Sequence, residues 1–218
     1  MAPATKSPPQ KGQEVLPGIA GVLAALYREV RYCRICPSMR PHRKGRQRSR
    51  GGSRATGYFL VTSSPQPLPL LEEALAAVGD ERFPRLADLF YVVHAVRCLP
   101  PHRRDAGRLR PPTAGECAAC RGYLDFELRL LHPRLVLAVG SHAARSLLGK
   151  SFRITKDHGV RMVTPRGPVL PLIEPSPGNS GTLRSHPRDR YRNALVGLCG
   201  SLLDELDRHQ GAARHSAA

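Results

Sequence analysis

Apolar positions along the chain fall into two kinds of run that alternate with each other. Four short runs, "GYFLVT" (57–62), "LFYVVHAV" (89–96), "RLVLAVG" (134–140) and "PVLPLIE" (168–174), are nearly unbroken and show no in–out alternation. Runs of that length and composition predict strands buried on both faces, as in parallel sheets. Between and around them, residues 14–33, 68–79, 111–131, 141–148 and 185–209 space their apolar residues three and four apart, which predicts helices. Pro-Pro-Thr at 111–113 reads as a helix start, Ser141 as a helix cap and Gly79 as a C-terminal cap. Strands that alternate with helices predict an α/β fold: a three-layer α/β/α sandwich around a central four-stranded parallel sheet. One domain over 14–209 is expected. It is flanked by a disordered basic tail at 1–13 and a frayed tail at 210–218, and interrupted by a basic, Gly-rich loop at 40–56.

In such sheets ligands sit beyond the carboxyl ends of the strands. Those ends read "VTSSPQP", "VHAVRCLPPHRR", "VGSH" and "LIEPSPGN". Three carry polar side chains, and two of these carry Ser-Pro.

Charge narrows the partner class. The 218 residues carry a net +17, with 29 Arg against 5 Lys, and nine of the cations fall between Val30 and Leu71, where no acid occurs. Arginine forks onto phosphate and stacks on bases, so a nucleic acid is the expected partner. Arg43, Arg46 and Arg48 in the 40–56 loop, and Arg103 and Arg104 after the second strand, are the expected phosphate contacts. No run of 18 apolar residues exists, and "MAPATKSPPQKGQ" has no apolar signal core, so no membrane span is expected. The expectation is a cytoplasmic, nucleoid-associated monomer.

Six cysteines add chemistry. Cys33 and Cys36 form one C-x-x-C pair and Cys117 and Cys120 another, while Cys98 follows the second strand. Cys199 lies on the apolar stripe of the last helix and reads as core. In a reducing compartment such a set points to metal rather than disulfides. The spacing leaves zinc and an iron–sulfur cluster equally open.

Six segments in order, "CRICPSM", "YFLVTSSPQP", "VVHAVRCLPPHRRD", "PPTAGECAACRGYLDFEL", "LHPRLVLAVGSHAARSLL" and "LIEPSPGN", resemble the iron–sulfur uracil-DNA glycosylases, families four and five. The resemblance implies a uracil-DNA glycosylase-like fold and a monofunctional DNA N-glycosylase. It also implies a [4Fe–4S] cluster on Cys33, Cys36, Cys98 and Cys120, with zinc as the alternative metal and Cys117 a neighbour the pattern does not require. The departures from the pattern matter as much. The first loop is Thr62-Ser63-Ser64-Pro65-Gln66 and holds no acid. His94 stands where the family has a base-reading Asn, and Glu174 where it has a His that stabilises the leaving base. The wall that normally stacks on the base is cut to "QPLP" (66–69).

These substitutions make Glu174, His94 and Ser63 the candidate catalytic residues. Ser64, Pro65, Gln66, His158, Ser176 and Asn179 are candidate base or DNA contacts. A Glu could accept from an exocyclic amine or act as general base for water. The expected substrate is a modified or bulky pyrimidine, such as hypermodified cytosine in phage DNA, excised in phage defence or base-excision repair. The alternatives are ordinary uracil excision, an inactive DNA-binding homologue, and a zinc-stapled nucleic-acid-binding protein.

Overall fold

The computed structural model describes residues 18–36, 54–65, 67–98, 100, 110–174 and 188–215. In chain order the elements are α1 (Ile19–Tyr32), β1 (Tyr58–Thr62), α2 (Pro69–Val78), α3 (Leu86–Leu89), β2 (Tyr91–His94), α4 (Ala114–Leu131), β3 (Leu135–Val139), α5 (Ser141–Leu148), α6 (Ile154–Asp157), β4 (Met162–Thr164), β5 (Gly167–Leu172) and α7 (Arg188–His215). The sheet order is β2-β1-β3-β5-β4. The first four of these strands run parallel, and β4 closes one edge antiparallel to β5.

Both faces of the sheet are covered, which is why its strands lack polar alternation. Tyr58, Leu60, Leu135, Leu137, Val139 and Leu172 point to a layer made by α2, α3 and α7. Their sequence neighbours Phe59, Val61, Val136 and Ala138 point the other way, to α4, α5 and the Phe152–Ile154 turn. Burial of a large apolar side chain contributes about 1.5–3 kcal/mol, so the period-two alternation between two full cores fixes the register of every strand. Outside this sandwich, α1 packs on α4 through Leu23, Leu26 and Val30. Cys199 lies fully buried in the α7 layer, as expected of a core residue.

The structure differs from the sequence reading at several points. The sheet has five strands rather than four. The added β4 is three residues long and half exposed, and it pairs with β5 through a tight turn in which Thr164 Oγ1 accepts from the Arg166 N–H and donates to the Gly167 carbonyl. The second strand begins at Tyr91, because Leu86–Leu89 form the single turn α3, and it ends at His94. Ala95 and Val96 still donate to Thr62 O and Ser63 O, so the ladder continues past the strand. The closing helix continues to His215, through residues expected to fray. Ser141 does not cap α5. That place belongs to Gly140, and no side-chain cap bond forms. Two readings hold in detail. Thr113 and Glu116 build a reciprocal capping box at the start of α4, and Gly79 ends α2 in the left-handed region at φ +74°.

Candidate active site

Parallel pairing brings four strand ends to one edge. In the register Thr62 faces His94 on one side and Val139 on the other, and Val139 faces Leu172. Ser63 and Gly140, one residue on, and Glu174, two residues past Leu172, therefore meet at the same lip of the sheet. Gly140 sits at φ +90° and ψ 158°, a region that only glycine occupies cheaply. A Cβ there would lie 2.6 Å from Glu174 Oε2 and 2.8 Å from Ser63 Oγ. The glycine is thus the gap through which a carboxylate and a hydroxyl approach each other.

Thr62, Ser63, Ser64, Pro65 and His94 are all buried. Thr62 Oγ1 donates to the Ser64 carbonyl at 2.9 Å and lies 2.6 Å from His94 Nδ1. A threonine hydroxyl has one proton and the carbonyl can only accept, so the proton between Thr62 and His94 belongs to Nδ1. Neutral His94 then carries an acceptor lone pair on Nε2. Ser63 Oγ is buried and makes no hydrogen bond among the described residues. Burial pushes the Glu174 carboxyl above the usual carboxylate range.

His158 supports this edge. Its Nδ1 accepts from the Ile173 N–H at 3.2 Å, and the Tyr191 hydroxyl donates to the Ile173 carbonyl at 2.7 Å. Both peptide groups flanking Glu174 on its N-terminal side are thereby held. Gln66, Arg103, Arg104, Ser176, Asn179, Arg43, Arg46 and Arg48 lie outside the described residues.

A second cluster lies beyond the end of β2. Val96 and buried Cys120 form a small core against which Cys36, Cys98 and Cys117 pack. Cys33 ends α1, is hydrogen-bonded by the Tyr123 phenol, and is close enough to Cys120 for their charges to interact. All six cysteines are free thiols. Burial above all, then the nearby Cys120 and Glu116, pushes the Cys117 thiol up to about 11. Its sulfur stands 3.9 Å from His142 Nδ1, on the α5 side of the group. Burial also raises Cys120, against the opposing pull of Arg97. Among the described residues no three His, Cys, Asp or Glu side chains stand close enough together to hold a single metal ion.

Sequence reasoning missed two parts of these sites. Thr62, which sets the proton on His94, is an ordinary strand residue until β1 pairs with β2. Beneath the thiols, buried Glu127 accepts hydrogen bonds from half-buried Tyr27 and from buried Tyr91 and Arg97. One signal was available: Cys120, Leu124, Glu127 and Leu128 share the buried stripe of α4, and a carboxylate on an apolar stripe needs partners. A separate apolar groove of about 450 Å³ lies between α1 and α4, lined by Leu26, Ile35, Tyr123 and Phe126 among others. It is away from the polar edge, and its lining carries few polar groups.

The fold and this edge define an open α/β protein, a class whose ligands sit beyond the carboxyl ends of the parallel strands. The chain belongs to the uracil DNA glycosylase superfamily, whose family model matches residues 45–196. It is 28% identical over 139 residues to a type-4 uracil-DNA glycosylase of Pyrobaculum aerophilum, covering 58% of this chain and 64% of that protein. It is 31% identical over 109 residues to the type-4 enzyme of Thermotoga maritima, covering 49% and 51%. It is 35% identical over 97 residues to a type-5 uracil-DNA glycosylase of Pyrobaculum aerophilum, covering 43% and 39%. The chain thus spans between about a third and two thirds of the length of the curated relatives it matches. Among the described residues no helix is long and apolar enough to cross a membrane.

Proposed function

We propose that this protein is a monofunctional DNA glycosylase that flips a modified pyrimidine out of the duplex and hydrolyses its N-glycosidic bond, leaving an abasic site. The observation that carries the proposal is the meeting of Glu174 and Ser63 at Gly140, beside a His94 whose tautomer is set by Thr62. Superfamily membership and a net charge of +17 support DNA as the partner.

The chemistry assigned to these groups is as follows. Water adds to C1′ of the sugar, the C–N bond breaks, and the base departs with the bonding electron pair. The ionised Glu174 carboxylate takes the proton from the attacking water, and Ser63 Oγ, buried and without a hydrogen bond among the described residues, orients that water. His94 Nε2 accepts a hydrogen bond from the base edge. Uracil offers one N–H between two carbonyls, whereas a cytosine-like base offers an amine with two N–H groups. The Nε2 acceptor suits the amine better, because the uracil N–H is flanked on both sides by carbonyl lone pairs that repel an acceptor. This supports a hypermodified cytosine over plain uracil, and with it a role in defence against foreign DNA as well as in base-excision repair.

The names of the relatives favour a second reading, ordinary uracil excision. A third, DNA binding without cleavage, is favoured by the absence of any acid in the Thr62–Gln66 loop. Duplexes carrying uracil, hydroxymethylcytosine or glucosylated hydroxymethylcytosine, incubated with protein and then with alkali, separate the three. Strand nicks at the cytosine derivatives, lost in Glu174→Gln, are expected. Nicks at uracil alone support the second reading, and no nicks the third.

The proposed cofactor is a [4Fe–4S] cluster held by Cys33, Cys36, Cys98 and Cys120; a single zinc ion, the alternative, does not fit side chains that nowhere gather in threes among the described residues. The donor set suits it: soft sulfur ligands from three separate segments gather around a small apolar core. Bound there, the cluster would supply cross-linking of α1, the segment after β2 and α4. Loss of visible colour and iron on Cys120→Ser tests this assignment.

A further inference from the structure

We propose that Glu127 is a positioning residue for the thiol cluster: one buried carboxylate that ties together the three segments delivering the cysteines. The inference rests on the cluster reading above and goes beyond the ligands themselves. Glu127 is fully buried on α4, seven residues after Cys120 on the same stripe. Its Oε1 accepts from Tyr27 on α1, the helix that leads into Cys33 and Cys36, at 2.7 Å. The same oxygen accepts from Tyr91 on β2, the strand that leads to Cys98, also at 2.7 Å. The two phenols touch each other. Its Oε2 accepts from Arg97 Nη2, in the residue next to Cys98. Every segment that contributes a proposed ligand is therefore fastened to one carboxylate.

Arg97 supplies the second half of the argument. It is as buried as the deepest core residues. Its main chain hydrogen-bonds the Cys120 thiol. Its Nε and Nη1 are buried and make no hydrogen bond among the described residues. A buried ion pair is seldom the most stable filling for a core, and its best-attested use is to specify one geometry. Here that geometry brings the thiol-bearing segments together.

Two variants test this on the purified holoprotein. Tyr27→Phe cuts only the tie to α1. Arg97→Met combined with Glu127→Met removes the hub without leaving a buried orphan charge. Iron content as isolated and the half-time of iron release to a chelator are read beside the thermal unfolding midpoint. Tyr27→Phe should release iron about tenfold faster, the equivalent of one charge-assisted hydrogen bond, with its midpoint lowered by only about 3–6 °C. The double variant should fold yet retain little iron. Iron release from Tyr27→Phe as slow as from wild type overturns the hub whether or not the double variant folds. A wild-type protein that carries no iron overturns the cluster reading itself, before any variant is compared.

Discussion

Gly140→Ala is the sharpest perturbation the structure offers, because one added methyl group reaches both proposed catalytic side chains. The new Cβ would lie 2.6 Å from Glu174 Oε2 and 2.8 Å from Ser63 Oγ, so both must move. The backbone at φ +90° and ψ 158° adds strain of about 1–3 kcal/mol for any residue with a Cβ. A displacement of about 1 Å at reacting groups costs on the order of 10²-fold in rate. Gly79→Ala is the matched control. Its φ is +74°, but nothing lies within 4 Å of its Cβ, so it carries the backbone strain without the collision. The assay pairs urea unfolding with single-turnover base excision on a duplex. Both variants should lose stability by amounts within that range of strain. Only Gly140→Ala should lose excision, by about 10²-fold, with DNA affinity retained. Excision by Gly140→Ala at the rate of Gly79→Ala would refute the placement of Glu174 and Ser63 at the reacting centre.

Further predictions concern protons and thiols. Burial raises the Glu174 pKa, so the base form is lost as pH falls through a value above the ordinary carboxylate range. Single-turnover rates should show an acidic limb there, and Glu174→Gln should abolish both the rate and the limb. The stability effect has the opposite sense. A buried carboxylate with a raised pKa weakens the fold as pH rises and it ionises, so Glu174→Gln should unfold at higher urea than wild type at neutral pH. Thr62→Val removes the acceptor that holds the Nδ1 proton of His94, costing about 1 kcal/mol of ordering. Excision should fall and Thr62→Ser should restore it, as read by rate on the preferred base. Cys117→Ser should keep its colour and iron while Cys120→Ser loses both; the reverse result would move the fourth ligand to Cys117.

The sequence exposed the parallel strands because two full cores leave no polar position along them, as in "FLV" of β1 and "VLAV" of β3. It hid β4 because three half-exposed residues carry no periodicity to read. It hid α3 and α6 because a single turn is shorter than the repeat that marks a helix. Ser141 read as a cap on residue type alone; the chain needed a positive φ at that point instead, and Gly140 supplies it. His94, Ser63 and Glu174 were found through resemblance to aligned motifs, each at the end of a visible strand. Their electrostatics were not legible there, because the Thr62–His94 bond spans 32 positions and exists only once β1 and β2 are in register. Likewise the partners of Glu127 come from 30, 36 and 100 positions away. A motif can name a residue, but only the sheet and helix packing say which proton or charge faces it.

The most direct measurement is mass spectrometry of the base released from duplex DNA that carries uracil and hypermodified cytosine in the same strand. The account predicts the free amino-bearing pyrimidine, released in equal amount to the abasic sites formed, and none from Glu174→Gln. Release of uracil alone, or of no base from a fully folded protein, would contradict it.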